Sequence, residues 1–253
     1  MPIPADNWRL PRRHGLAVAL SSVLAVVGCQ RQGAPPAAIR ATQYATLHQA
    51  AVFAADQIPR LIAAGQPIDG LDADGHTPLW VAVRFAQPAA VQLLLDHGTD
   101  PNFGGPAADT PLLTATFLGS DPDETAIIRQ LLAAGADVRA VSRQHGETPL
   151  HYAVKSGNAE AVRLLLASSA DVNAESSSGD VPLQSAVING SVTIADLLLA
   201  AGADSELRNS AGFRPIDQLN VCPHPADIQA VFRAHGTDDR MRHELLAAHR
   251  STD

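Results

Sequence analysis

The stretch Asp72-Ala73-Asp74-Gly75-His76 sets two carboxylates and an imidazole within five residues, a grouping that suits a hard cation. A calcium loop needs an oxygen ligand two residues before Asp72 and a closing glutamate, and Gly70 and Val81 stand in those places. The stretch therefore reads as an ordinary turn. Cys222-Pro223-His224-Pro225 offers two metal ligands, but no second pair lies at ligand spacing nearby. Neither a Gly-Xaa-Ser-Xaa-Gly elbow nor a phosphate-binding glycine loop occurs. The expectation is a chain without catalytic residues, metal or cofactor.

Elements that could position other chemistry show first in the composition. Apolar residues make up 46% of the 253-residue chain but aromatics only 4%, so Ala, Leu and Val dominate and helices are favoured over strands. A formal charge of −8 argues against a nucleic-acid partner, which needs a basic face.

The other cysteine, Cys29, closes a different pattern. Arg9, Arg12 and Arg13 precede a charge-free run from Gly15 to Gly28. At about 1.5 Å per residue this run makes roughly 21 Å of helix, short of a hydrocarbon core of about 30 Å. A basic start and a short apolar middle read as a cleavable export signal. The end, Val26-Val27-Gly28-Cys29, resembles the lipobox of bacterial lipoproteins. That resemblance implies a signal peptide over residues 1–28 and lipid attachment at the Cys29 sulfur, with several acyl chains anchoring the protein firmly. Gln30 after the cysteine implies delivery to the outer membrane of a Gram-negative cell. With Cys29 acylated, Cys222 is the only thiol left and no disulfide forms. Residues 29–42, with Gly33, Pro35 and Pro36 and no apolar period, read as a flexible tether.

Beyond the tether the chain repeats itself. His76-Thr-Pro-Leu, Asp109-Thr-Pro-Leu and Glu147-Thr-Pro-Leu are followed by weaker copies from Asp180 and Phe213, and Ala45-Thr-Leu-His precedes them. The prolines, 78, 111, 149, 182 and 215, are spaced by 33, 38, 33 and 33 residues. Thr before Pro predicts a helix N-cap followed by its first turn. A second helix follows in each unit, with apolar triplets at i, i+3, i+4 such as Val91/Leu94/Leu95, Ile128/Leu131/Leu132 and Val162/Leu165/Leu166. Unit three carries five extra residues; four of them fall between its helices, where Asp121-Pro122-Asp123-Glu124 forms a capping-box pattern.

The phrase, period and helix–turn–helix grammar resemble the ankyrin repeat. The resemblance implies an all-α solenoid of six units over residues 43–236, with short β-turn loops and a capping helix and tail over residues 237–253. His48 and His151, at the fourth place of the repeated phrase, are expected to make local hydrogen bonds. Trp80, at the same place, is expected in the core.

The family binds proteins through loop tips and the concave face of the first helices. By register, the two positions ending those helices are Val52/Phe53, Arg84/Phe85, Phe117/Leu118, Lys155/Ser156, Ile188/Asn189 and Val221/Cys222. From these, Phe53, Arg84, Phe85, Phe117, Leu118, Lys155 and Asn189 are the candidate partner-binding residues. Two arrangements of the three phenylalanines are open: an exposed aromatic stripe across the first three units, or rings turned inward onto small residues such as Ala82 and Ala86. Phe103 and Phe213 fall in loop tips that could extend such a surface. The function expected is a non-enzymatic protein-binding scaffold, lipid-anchored in the periplasm. Alternatives are an immunity-type inhibitor of a toxic periplasmic enzyme, or an accessory to oxidative-stress defence resembling periplasmic ankyrin proteins of that role.

Overall fold

The computed structural model describes residues 45–106 and 108–237. The proposed signal peptide, Cys29, the tether and the C-terminal segment from residue 238 onward lie outside the described residues.

Within them the helices come in pairs. The first of each pair are α1 (Leu47–Phe53), α3 (Pro78–Arg84), α5 (Pro111–Leu118), α7 (Pro149–Lys155) and α9 (Pro182–Ile188). The second are α2 (Ile58–Ala63), α4 (Pro88–Asp96), α6 (Pro122–Ala133), α8 (Ala159–Ala167), α10 (Val192–Ala200) and α11 (Pro225–Ala234). The sixth unit opens with a 3₁₀ helix, Pro215–Val221, in place of an α-helix. First helices pack on first helices and second on second, so each unit touches mainly its neighbours. The described residues contain no strand, and no helix among them is long and apolar enough to cross a membrane.

The N-cap chemistry follows the repeated phrase. Thr46, Thr77 and Thr110 accept from the backbone N–H three residues on, at 3.3, 3.2 and 3.4 Å. Proline then begins α3, α5, α7 and α9, where its missing N–H costs nothing. In the second helices Val91/Leu94, Ile128/Leu131, Val162/Leu165 and Ala195/Leu198 are fully buried, and Leu95, Leu132 and Leu166 pack half-buried at the edge. One continuous apolar core therefore runs through the stack.

The extra residues of unit three lengthen a helix. α6 has 12 residues where α4, α8 and α10 have 9. Glu124 Oε2 accepts from the Asp121 N–H at 2.8 Å and starts the added turn. Because about 3.6 residues make one turn, the insertion leaves Ile128 and Leu131 on the buried face.

Second helices end on a residue in the left-handed region: Gly65 at φ 86°, Gly135 at 86° and Gly202 at 91°. Unit four places Ser169 there, at φ 64°. A side chain in this conformation is strained by about 1–2 kcal/mol, and glycine's extra freedom in the unfolded chain offsets about 0.4–1 kcal/mol of any relief. Ser169→Gly is therefore expected to raise the unfolding free energy by about 0.5–1 kcal/mol. Urea unfolding checks this; an unchanged or lowered midpoint at constant slope would contradict it.

Candidate protein-binding face

The loops between units form a row of fingers. Four of the five close on themselves with the same backbone bond: Asp72 N–H to His76 C=O at 3.0 Å, Ser142 to Glu147 at 2.8 Å, Ser176 to Asp180 at 2.9 Å, and Asn209 to Phe213 at 3.0 Å. Neighbouring fingers are joined as well, through Thr77 N–H to Gly104 C=O at 3.1 Å, Ser177 to His145 at 2.9 Å and Ser210 to Ser178 at 3.0 Å. Asn102 and Asn173 add a side-chain rung, accepting from Asp137 N–H at 2.7 Å and Asp204 N–H at 2.8 Å.

The fourth place of the repeated phrase carries a second stitch. His48 Nε2 lies 3.0 Å from the His76 carbonyl, and His151 Nε2 2.9 Å from that of Asp180. Gln184 does the same work in unit five, accepting from Val181 N–H at 2.8 Å and donating to Phe213 C=O at 2.8 Å. The expected local bond is made by His151, whose Nδ1 meets Thr148, but both histidines also reach across to the next unit. Burial lowers the His151 pKa, with its bond to Asp180 opposing. Tyr152 beside it is raised, mainly by burial, while the Arg214 side chain holds the Asp217 carboxyl below its usual range.

The three phenylalanines resolve the open question of orientation. Phe53, Phe85 and Phe117 are 44%, 39% and 54% exposed, so the rings are not turned fully inward and form an exposed row. Phe117 meets Tyr152 edge-to-face, with centroids 5.5 Å apart. Arg84 and Leu118 are half-buried beside them, and Asn189 is exposed. Lys155 is exposed but engaged, its ammonium bonded to the largely buried Glu147 carboxylate. Ile188 and Val221 continue the exposed apolar row through units five and six. Cys222 is buried, and its Sγ accepts from His224 N–H at 3.3 Å.

Trp80 departs from expectation. It is half-buried and lies outside the main core, stacked on His76 with centroids 3.9 Å apart. Its Nε1 is buried with no protein acceptor. The reason is steric: Gly104 of the next finger leaves room for the ring, since a Cβ there would stand 2.9 Å from Trp80 Cδ1. Thr77 Oγ1 supplies a different tie to the same finger, donating to Phe103 C=O at 3.1 Å.

Four exposed apolar residues lie on the fingers: Leu71, Phe103, Val141 and Phe213. Leu71 and Val141 escaped the sequence reading, although an isolated branched residue in a polar loop was the available signal. Asp72, Asp74 and His76 bring ligand atoms within 4.8 Å of one another. Asp72 Oδ1 is already committed to the turn, accepting from Asp74 and His76 N–H at 2.9 Å each. Two shallow hollows, of about 170 Å³ between the second and third fingers and about 250 Å³ between α4 and α6, fall below the roughly 300–1,000 Å³ of small-molecule sites.

A stack of helix pairs that turns an apolar row and a line of finger tips outward has the architecture of a repeat-protein docking module. The chain belongs to the ankyrin-repeat family: the family model described as ankyrin repeats in three copies matches residues 47–141 and again 112–209. The repeats mark a protein–protein interaction domain. An ankyrin repeat domain from Acinetobacter baumannii superposes with a TM-score of 0.69 at 31% identity, over 75% of this chain and 97% of that one. Mouse B-cell lymphoma 3 protein homolog is 32% identical over 49% of this chain. Human ankyrin repeat and SOCS box protein 6 is 38% identical over 39% of it. The matches span only 28% and 24% of those relatives' lengths, so the similarity is that of the repeats.

Proposed function

We propose that this protein is a non-enzymatic scaffold whose repeat domain binds a protein partner and whose Cys29 tethers it by lipid to the bacterial envelope, on the periplasmic side of the outer membrane. The exposed aromatic row carries the reading. Phe53, Phe85 and Phe117 leave 39–54% of their surface in water, and burying that remainder against a partner contributes roughly 1 kcal/mol each before association costs. Aromatic anchors of this kind dominate interface energetics.

The test compares the wild type with Phe53→Ala/Phe85→Ala/Phe117→Ala in affinity capture from envelope extract, both proteins giving the same circular dichroism. The expected result is a partner retained by the wild type and lost by the variant, and its identity separates scaffold from inhibitor. A partner held equally by both would refute the aromatic row. Anchoring is tested separately: Cys29→Ser is expected to abolish incorporation of labelled palmitate and to release the protein from membranes.

A further inference from the structure

Charge is distributed unevenly along the solenoid. Residues 45–124 carry two cationic side chains, Arg60 and Arg84, against ten carboxylates. Residues 125–237 carry eight cations against eleven carboxylates, and there Arg129–Glu160, Lys155–Glu147 and Arg214–Asp217 are joined as ion pairs. The exposed aromatic row lies in the first, strongly acidic part.

The acids also stand in particular places. Each first helix starts at a finger and ends at the turn into the second helix. On the finger side of the row are the exposed Asp74 and Asp100 and the half-buried Asp109. On the turn side are the exposed Asp56, Asp121 and Asp123, the last two contributed by the insertion directly after Phe117 and Leu118. The apolar row thus runs between two acidic rims. The distance from rim to rim is set by the first helix: eight residues in α5, about 12 Å at 1.5 Å per residue, which matches the 10–12 Å diameter of a helix. Along the row, packed helices repeat at about 8–10 Å, and seven residues of helix advance about 10.5 Å.

The geometry points to a basic amphipathic helix as the occupant of this face: a partner segment with one apolar residue per heptad along its centre and Lys or Arg on both flanks. The assignment rests on the docking role proposed above and adds the partner's chemistry. Apolar residues of the helix meet Phe85 and Phe117, and its cations meet the carboxylates of both rims. Such charge matching chiefly accelerates encounter and excludes acidic competitors.

The probe is a synthetic peptide of about three heptads with leucine along one stripe and lysine on its flanks, beside a second peptide with glutamate replacing every lysine. Both are titrated calorimetrically into the full chain. The lysine peptide is expected to bind and the glutamate peptide not to. Phe85→Ala/Phe117→Ala is expected to weaken binding by tenfold or more, about 1.4 kcal/mol. Asp121→Asn/Asp123→Asn is expected to weaken it about fivefold and to flatten its salt dependence. Asp96→Asn/Asp227→Asn, the same charge change on second helices, is expected to shift it by less than about twofold. Equal losses in the two Asp→Asn variants would overturn the rim assignment. A glutamate peptide that binds and still needs Phe85 and Phe117 would overturn the basic partner while leaving the row as docking surface. Lysine-peptide binding indifferent to Phe85 and Phe117 would overturn both.

Discussion

Gly105→Ala is expected to destabilise the repeat domain by about 3–5 kcal/mol, among the largest effects of any single substitution. A Cβ on Gly105 would stand 1.9 Å from the Gly75 carbonyl oxygen and 3.0 Å from its carbon. These are backbone atoms of the neighbouring finger. They are fixed by the bonds from Gly75 N–H to Asp72 C=O at 3.1 Å and from Asp72 N–H to His76 C=O at 3.0 Å. Neither partner can move without breaking the finger or the contact between fingers. The φ of 116° at Gly105 adds a conformational cost of its own. Gly98→Ala separates the two contributions. Gly98 has φ 84° and nothing within 4 Å of its would-be Cβ, so only the conformational loss of about 1–2 kcal/mol applies. Urea unfolding of both variants measures the difference. Equal losses would show that the close approach of the fingers contributes nothing to stability.

Gly105 was not legible in the sequence, and the reason bears on what a repeat reveals. The paired helices follow from Thr-Pro caps and apolar triplets, because those signals act within a few residues of one another. Even the insertion was readable, since Asp121 to Glu124 forms a local cap and four residues make just over one turn at about 3.6 residues each. The fingers' contacts join residues 26 to 35 positions apart, as between Thr77 and Phe103 or Asn102 and Asp137. No local pattern reports them. The register placed Phe53, Phe85 and Phe117 at helix ends, but how far each ring is exposed depends on packing between units, which no local pattern reports. Lys155 shows the same limit: its pairing with Glu147 joins the start of a unit to the end of its first helix and removes the free cation that the position suggested. The sixth unit reads as a weak copy because Arg214 replaces threonine at the cap. Arg214 donates to Asp217 Oδ1 at 2.9 Å and the segment settles as a 3₁₀ helix.

His151→Leu is expected to cost about 3 kcal/mol, because it orphans polar groups buried on both sides of a unit boundary. Nδ1 of the fully buried ring lies 3.2 Å from Thr148 N and 2.9 Å from Thr148 Oγ1, while Nε2 lies 2.9 Å from the Asp180 carbonyl. Only the neutral ring with its proton on Nε2 satisfies all three, since Nδ1 must accept and Nε2 must donate. The chain itself supplies the conservative replacement. Gln184, one unit later, spans the corresponding groups with its amide oxygen and nitrogen, so His151→Gln is expected to cost less than about 1 kcal/mol. The two variants also differ in pH dependence. Burial sets the folded pKa of His151 below its ordinary 6.5, so above that pH neither the folded nor the unfolded chain protonates the ring and its contribution is complete. As the pH falls from 6.5 toward the lowered folded value, the unfolded chain takes up the proton first and stability is lost. The loss stops once the folded ring protonates too. Carboxylates titrate largely below this window, so subtracting the His151→Gln profile from the wild-type profile between about pH 5 and 7.5 isolates the ring. A glutamine variant as unstable as the leucine variant would show that the cross-unit bonds are dispensable. Parallel wild-type and glutamine profiles would show that His151 titrates alike in both states.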